Sequence, residues 1–350
     1  VGWLIYGANG YTGELVAREA AARGLRPVLA GRRREAVGAL AAELGCEARA
    51  FPLDDPAALR EGLRGARAVL HCAGPFIRTW RAMADACLET GAHYLDVTGE
   101  IPVFEALAAR DGEARARGVT LLPGVGFDVV PSDCLAAHLK QRLPSATSLT
   151  LAFTISVGPS RGTATTALEN LHRGGLVRRG GVLTPVPAGW RRREVDFGRG
   201  PRPVVTIPWG DVSTAFHSTG VPDIEVYMAM PGAAITALRL GRPLLPLLRS
   251  ARLRGWLLRR YERGPAGPTD EQRARGWMAI WGEARDAAGA AVAARLRGPE
   301  GYTLTVHSSL AAVARVLEGK APPGFQTPSR AFGADFVLEL GRPDIVREDL

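Results

Sequence analysis

The sequence predicts an α/β chain: a doubly wound parallel sheet followed by a second α+β domain. Three observations predict it. Short apolar runs alternate with segments of helical spacing from residue 3 to residue 128, the pattern of strand–helix crossovers. A glycine turn, Tyr6-Gly7-Ala8-Asn9-Gly10-Tyr11-Thr12-Gly13, lies between the first apolar run and the first helical segment. After Val130 the pattern changes to longer β-rich runs without regular intervening helices.

The first run is Trp3-Leu4-Ile5, and a helix follows over 14–23. Strand, glycine turn and helix in that order form the context of a dinucleotide fingerprint. The spacing here is G-x-x-G-x-x-G. Gly7 makes the tight turn, Gly10 admits a pyrophosphate to the backbone, and Gly13 lets the helix pack on the sheet. The first helical N–H groups then face the phosphates. Asn9, Tyr11 and Thr12 complete the expected contacts of the turn.

Pro27-Val28-Leu29-Ala30-Gly31 is the second strand, and Arg32-Arg33-Arg34 follows at once. An NAD site places an acid at this point for the ribose hydroxyls. The first acid here is Glu35. Guanidinium groups match a 2′-phosphate instead, so Arg32 and Arg33 predict NADP(H). The competing reading is a solvated helix start, which cations at a helix N-terminus oppose.

A helix over 35–44 closes at Gly45, and a third strand covers 47–51. Asp54-Asp55-Pro56 opens the next helix, with Asp55 as N-cap and Pro56 at the first position. Asp54 can reach the adenine edge or serve the cap. Ala68-Val69-Leu70-His71-Cys72-Ala73 is a fourth strand, apolar enough to be buried on both faces. It leads into Gly74-Pro75-Phe76. Small residues there admit the nicotinamide ribose, so Cys72, Ala73, Gly74, Pro75 and Phe76 join the expected cofactor contacts. A helix over 79–90 closes at Gly91. His93-Tyr94-Leu95-Asp96-Val97-Thr98-Gly99-Glu100 is the fifth strand and its exit, with Thr98 and Gly99 facing the cofactor. A helix over 102–117 precedes the sixth strand, 119–122, which ends at Pro123-Gly124-Val125-Gly126-Phe127-Asp128.

The second domain opens with a helix from Pro131-Ser132-Asp133 to about Arg142. Strands are expected over 148–157, 182–187, 191–197, 203–208 and 224–230, in an antiparallel or mixed sheet. Helices are expected over 162–174, with Asn170 and His172, and after Trp209-Gly210-Asp211, with Phe216 and His217. A hairpin joins 276–285 to 290–298, and a helix lies within 301–319. The expected domains are 1–130, a dinucleotide-binding domain; 131–320, a substrate domain; and 321–350, a C-terminal segment.

Composition narrows the function. The chain has 350 residues, 46% hydrophobic and 23% charged, as in soluble globular proteins. Its net charge is +9, which reads as an anionic partner or as coding bias. Lys140 and Lys320 are the only lysines in an Ala/Gly/Arg-rich chain, which favours the second reading. No nucleic-acid-binding motif is present. Cys46, Cys72, Cys87 and Cys134 are scattered with no C-x-x-C pair, so no zinc site or dithiol is expected, and a reducing compartment fits. Val1 leads straight into the first strand, so no leader is expected, and no apolar run reaches membrane-spanning length. A cytoplasmic protein is expected, touching the membrane at most peripherally. The stretch 236–263 mixes ten leucine or tryptophan residues with eight arginines. It can lie on a membrane surface or cover a greasy substrate, although Pro243 and Pro246 interrupt it; a surface hairpin packed on its own domain is the plainer reading.

These stretches together resemble the saccharopine dehydrogenase-like oxidoreductases. The resemblance rests on 7–13, Ala30-Gly31-Arg32-Arg33, Cys72-Ala73-Gly74-Pro75-Phe76, Tyr94 to Glu100, Pro123 to Asp128 with Pro131-Ser132-Asp133, Trp209-Gly210-Asp211, and Gly324-Phe325-Gln326-Thr327-Pro328. It is strongest toward the bacterial branch with trans-acting enoyl reductases. It implies an NADP-binding Rossmann domain, an α/β second domain, and a C-terminal segment that folds back on the first domain. The activity then expected is hydride transfer from NADPH to a C=C or C=N bond of a small or lipid-like substrate. The alternatives are an opine-type amino acid dehydrogenase, with Arg78, Arg161 and Arg173 available for carboxylates, and a non-catalytic cofactor-binding protein at a membrane. No Tyr-x-x-x-Lys pair and no Gly-x-Ser-x-Gly elbow occurs, which disfavours those chemistries. The candidate proton donors are His172, His217 and Asp128; solvent is the alternative. His71 and His93, on strands, read as structural. The partners expected are the substrate, a membrane surface through 236–263, and a second copy in a homodimer, with no nucleic acid and no metal.

Overall fold

The computed structural model describes residues 2–162, 164–165, 172, 174–250, 255 and 266–350. The chain divides into two compact units, Val1–Val130 with Tyr302–Leu340, and Pro131–Gly301 with Gly341–Leu350.

The first unit holds strands β1 (Trp3–Tyr6), β2 (Val28–Gly31), β3 (Ala48–Ala50), β4 (Ala68–His71), β5 (His93–Asp96) and β6 (Thr120–Leu122). A return strand, Gly324–Phe325, pairs in parallel with β6. The seven strands run return–6-5-4-1-2-3, and each neighbouring pair is parallel. This is the Rossmann arrangement, and its order changes direction at β1. All residues of β1, β2 and β4 are buried, because helices cover both faces of a parallel sheet.

The described helices of this unit are α1 (Tyr11–Ala22), α2 (Arg34–Leu44), α3 (Pro56–Gly62), α4 (Phe76–Thr90), α5 (Ile101–Ala108) and α6 (Asp111–Ala116), with a return helix over Gly301–Leu317 and a short helix over Pro328–Phe332. Gly45 and Gly91 close α2 and α4 in the left-handed region, at φ +63° and +76°, where a side chain would be strained. Asp55 caps α3, accepting from Ala57 N and Ala58 N at 3.0 Å. The helix expected over 102–117 is two helices that meet at Arg110. Asp111 is drawn to the return strand, where its carboxylate accepts from Phe325 N at 2.8 Å.

The second unit holds a mixed sheet in which β7 (Ser148–Ile155) and β12 (Asp223–Ala229) are parallel neighbours. Around them lie β10 (Arg192–Asp196), β11 (Pro201–Thr206), β13 (Trp277–Arg285) and β14 (Ala291–Pro299), each paired antiparallel. β8 (Gly175–Arg179) and β9 (Val182–Val186) form a hairpin on β12. The helix expected over 162–174 falls largely outside the described residues, as do Asn170 and Arg173; β8 follows directly. The described helices of this unit are α7 (Val130–Arg142), α8 (Asp211–Thr219), α9 (Gly232–Leu240) and α10 (Asp270–Arg275), with a 3-10 segment over Arg242–Arg249.

The unit boundaries differ from the expected 131–320 and 321–350. The chain rejoins the first unit at Tyr302, because the return helix buries Leu304, Leu310, Val313 and Val316 there. It leaves again at Gly341, and a closing strand, Val346–Asp349, pairs with β14.

Candidate dinucleotide site

The site is built at the carboxyl ends of β1, β2, β4, β5 and β6. The turn after β1 is anchored by Gly7 N and Ala8 N, which donate to Ala30 O at 2.8 and 3.1 Å. Gly7 has φ +83°, and a Cβ there would lie 2.9 Å from Ala73 N. The turn therefore leans on the exit of β4, and only glycine fits. A Cβ on Gly13 would lie 2.3 Å from Gly7 O, so the missing side chain is what lets α1 start against the turn. Gly10 is the N-cap of α1, with no side-chain cap. A helix beginning this way offers N–H groups and the positive end of its dipole to an anion. A cradle that a Cβ would fill, followed by such a helix start, fits a pyrophosphate.

Arg32 and Arg33 leave β2 with exposed side chains. Arg33 is the N-cap residue of α2 but does not cap it with its side chain. Its guanidinium instead meets Asn9 of the glycine turn. With the Asn9 amide oxygen facing it, Arg33 donates from Nε at 3.2 Å and from Nη2 at 2.6 Å. Tyr6 donates its hydroxyl to Phe51 O at 3.0 Å. Burial pushes the Tyr6 phenol up to about 12, opposed by Arg32 and reinforced by Asp54. Arg32 and Asp54 thus act on the same end of the sheet, and Asp54 is exposed there.

The exit of β4 carries Cys72, Ala73, Gly74, Pro75 and Phe76. The Gly74–Pro75 peptide is cis. Burial and the Asp96 carboxylate push the Cys72 thiol up to about 12, so it stays a thiol at neutral pH. His71 is fully buried, with Nε2 2.9 Å from Thr79 Oγ1. Thr79 donates to Ala73 O at 2.7 Å, which makes the His71 Nε2 nitrogen the donor. Burial pushes this imidazole down to about 3, and it is neutral.

Two carboxylates that the sequence reading did not single out organise the exits of β5 and β6. Asp96 is fully buried and accepts from Tyr94 Oη at 2.6 Å, Thr98 N at 3.0 Å and Gly124 N at 2.9 Å. Burial pushes it up to about 6 against those hydrogen bonds. Glu100 accepts from Phe76 N at 2.8 Å and Ile77 N at 3.0 Å, so the start of α4 is already occupied by a carboxylate of the chain. The Asp-x-Thr spacing was a readable turn signal. The Glu100 contact reaches across 24 residues, and no local pattern announces it.

Asp128 follows β6. A Cβ on Gly99 would lie 2.7 Å from Asp128 Oδ2, so Asp128 stands directly beside the Thr98-Gly99 exit. Burial pushes its carboxyl up to about 7, where it can give or take a proton at neutral pH. Its loop is held by the return helix: Phe127 N donates to Thr305 Oγ1 at 2.9 Å, and Ser308 Oγ donates to Val125 O at 2.7 Å. Tyr302 of that helix meets the Tyr11 ring edge-on at 5.0 Å. Of the three proton-donor candidates, Asp128 is the one in the first unit. His217 lies in the last turn of α8, its ring 5.7 Å from Phe216, and His172 also belongs to the second unit.

Residues 3–122 match the saccharopine dehydrogenase NADP binding domain family. A stretch of 148 residues is 33% identical to a trans-acting enoyl reductase of Mycobacterium leprae, covering 40% of this chain and 35% of that protein. A stretch of 182 residues is 28% identical to a saccharopine dehydrogenase-like oxidoreductase of Homo sapiens, covering 45% of this chain and 41% of that protein. The matched stretches therefore span less than half the length of these relatives. In fold, the chain is similar to apo saccharopine dehydrogenase (L-Glu forming) from Saccharomyces cerevisiae, with a TM-score of 0.69 over 100% of this chain and 99% of that one, at 12% identity.

Proposed function

We propose that this chain, whose residues 3–122 match the saccharopine dehydrogenase NADP binding domain family, is an NADP(H)-dependent reductase of a C=C or C=N bond in a small or lipid-like substrate. The observation that carries the reading is the pairing of a phosphate cradle with a proton-active carboxyl on one edge of one sheet. Gly7, Gly10 and Gly13 receive the pyrophosphate, and Arg32 and Arg33 receive the 2′-phosphate. Thr98 and Gly99 border the nicotinamide, which supplies hydride when bound. Asp128 supplies or removes the proton that must accompany hydride, its raised pKa suiting both directions near neutral pH. The mycobacterial relatives are named trans-acting enoyl reductases, and that name favours an enoyl acceptor.

Two measurements test this. Replacing Arg32 and Arg33 by Ala is expected to weaken NADPH binding about 10- to 100-fold, the scale of losing charge-assisted bonds to a phosphate, while NADH binding stays within about twofold of wild type. Equal losses for both nucleotides refute the arginine assignment. NADPH oxidation is then followed with an enoyl thioester and, separately, with an amino acid plus an oxo acid. Turnover with the second pair alone identifies an opine-type dehydrogenase, and tight binding without any turnover identifies a cofactor-binding scaffold.

A surface observation favours a second reading, of the partner. Leu240, Leu244 and Leu247 are 76%, 64% and 59% exposed; Leu240 ends α9, and Leu244 and Leu247, three residues apart, share a face of the 3-10 segment that follows. Arg242 pins this segment by donating to Ala188 O and Gly189 O at 2.7 and 2.6 Å. Arg239 beside it is exposed. We propose that these leucines contact an anionic lipid surface; positions 251–254 and 256–263 of the basic stretch lie outside the described residues. Among the described residues no helix is long and apolar enough to cross a membrane. Co-sedimentation with anionic vesicles, lost when the three leucines become serine, is the expected result. Wild-type protein that stays in the supernatant refutes the contact.

A further inference from the structure

Asn9 occupies a position in the glycine turn where the chain needs tight geometry, yet its side chain reaches sideways to the exit of β2. With its amide oxygen turned toward the guanidinium, the orientation that satisfies both groups, it accepts from Arg33 Nε at 3.2 Å and from Arg33 Nη2 at 2.6 Å. A guanidinium has two forked edges that can grip a planar or tetrahedral anion. Asn9 takes the Nε/Nη2 edge. The Nη1/Nη2 edge is the one left for an incoming phosphate.

Two further features single out this contact. Gly31, the last residue of β2, lies beneath it. A Cβ there would come within 3.0 Å of the Asn9 side-chain amide and 3.1 Å of Val37 Cγ2. The missing side chain at Gly31 therefore opens the space through which Asn9 reaches Arg33. Arg33 also stands at a helix N-terminus, where a cation is electrostatically disfavoured, and its side chain does not cap α2. Helix stability explains neither its identity nor its placement. Alignment toward the glycine turn explains both.

We propose that Asn9 is a specificity-determining positioning residue: it fixes the plane of the Arg33 guanidinium so that the free edge is preset for the 2′-phosphate of NADP(H). The inference rests on the NADP(H) reading above. Its physical basis is preorganisation, because an arginine already held does not have to be immobilised when the nucleotide arrives. Gly31 is the permissive element of the same device.

The test is a double-mutant cycle in nucleotide binding, which needs no substrate. NADPH and NADH are each titrated into wild type, Asn9→Ala, Arg33→Ala and the double variant, following nicotinamide fluorescence. Asn9→Ala is expected to weaken NADPH about three- to tenfold, the range for immobilising one long side chain, and to leave NADH within about twofold. In the Arg33→Ala background the same change should leave the NADPH/NADH ratio unaltered. Gly31→Ala, which crowds Asn9 without removing a polar group, should lower the ratio as Asn9→Ala does.

An equal loss for both nucleotides in Asn9→Ala means that Asn9 serves only the turn, and overturns the inference. So does a full Asn9→Ala effect on the ratio when Arg33 is absent. If wild type prefers NADPH and Arg33→Ala abolishes the preference while Asn9→Ala does not, this inference fails and the NADP(H) reading stands. If wild type shows no preference, both fall together.

Discussion

Asp128→Asn tests the electrostatics of the site without any substrate. The carboxyl is raised by burial from its usual 3.8 to about 7. A carboxyl with a raised pKa binds its proton more tightly folded than unfolded. Between about pH 4 and about pH 7 the folded state therefore holds more protons, and stability falls as pH rises through that window, then levels off. Roughly three pKa units at 1.36 kcal/mol each set an upper bound of about 4 kcal/mol. Allowing for the part of the group that meets solvent, about 2 kcal/mol is expected. The assay is urea denaturation of wild type and Asp128→Asn from pH 4 to pH 8, with the transition followed on core amides of β4 to β6. Asp96 titrates in both proteins and cancels in the difference. The variant should gain stability over wild type steadily up to about pH 7 and hold that gain above it. A difference that stays flat across the window refutes a raised Asp128 pKa, and with it the proton-donor role.

The remaining predictions concern the scaffold of the same site. Gly13→Ala places a Cβ 2.3 Å from Gly7 O; backbone cannot yield as a flexible side chain does, so a loss of about 2–4 kcal/mol is expected, together with loss of nucleotide binding. Wild-type melting and binding in that variant would show that α1 does not need the close approach. Glu100→Ala removes the acceptor for Phe76 N and Ile77 N and should lower stability by about 1–2 kcal/mol, as removal of a helix cap does. Faster hydrogen exchange confined to the first turn of α4 would be the local signature, and unchanged exchange there would exclude the capping role.

The strand–helix alternation of the first unit is legible because each element is bounded by local chemistry. Apolar runs short enough to be strands end at Gly31, at Gly74 and at Thr98-Gly99, while Gly45 and Gly91 stop helices where a left-handed residue is required. The Asp55-Pro56 start needs only its own four residues to declare itself. Where the reading differed, the deciding interaction was distant. The break at Arg110 has no glycine or proline at the joint; it follows from Asp111 serving Phe325 N. The return strand is two residues long, too short to carry a period. The re-entry at Tyr302 depends on the return helix burying its face in the first unit, which the helical spacing of 301–319 alone does not assign to either unit.

The candidate site shows the same division. The turn, Arg32 and Arg33 are readable in order along the chain, since one strand and one turn position each of them. The bond from Asn9 to Arg33, the Glu100 cap on α4 and the grip of Thr305 and Ser308 on the Asp128 loop join segments 24 to 183 residues apart. They emerge only when the sheet brings strand exits together. Asp128 was legible as a position at the correct end of the sheet; its raised pKa was not, because burial is a property of the folded unit.

The most direct test is a structure of the protein solved with NADPH bound. The account predicts the pyrophosphate at the first turn of α1, the 2′-phosphate on the free edge of Arg33 with Arg32 beside it, and the nicotinamide next to Thr98-Gly99 with Asp128 within reach of the reacting face. A nucleotide whose adenosine phosphate points away from both arginines, or whose nicotinamide lies away from the exits of β5 and β6, would contradict it.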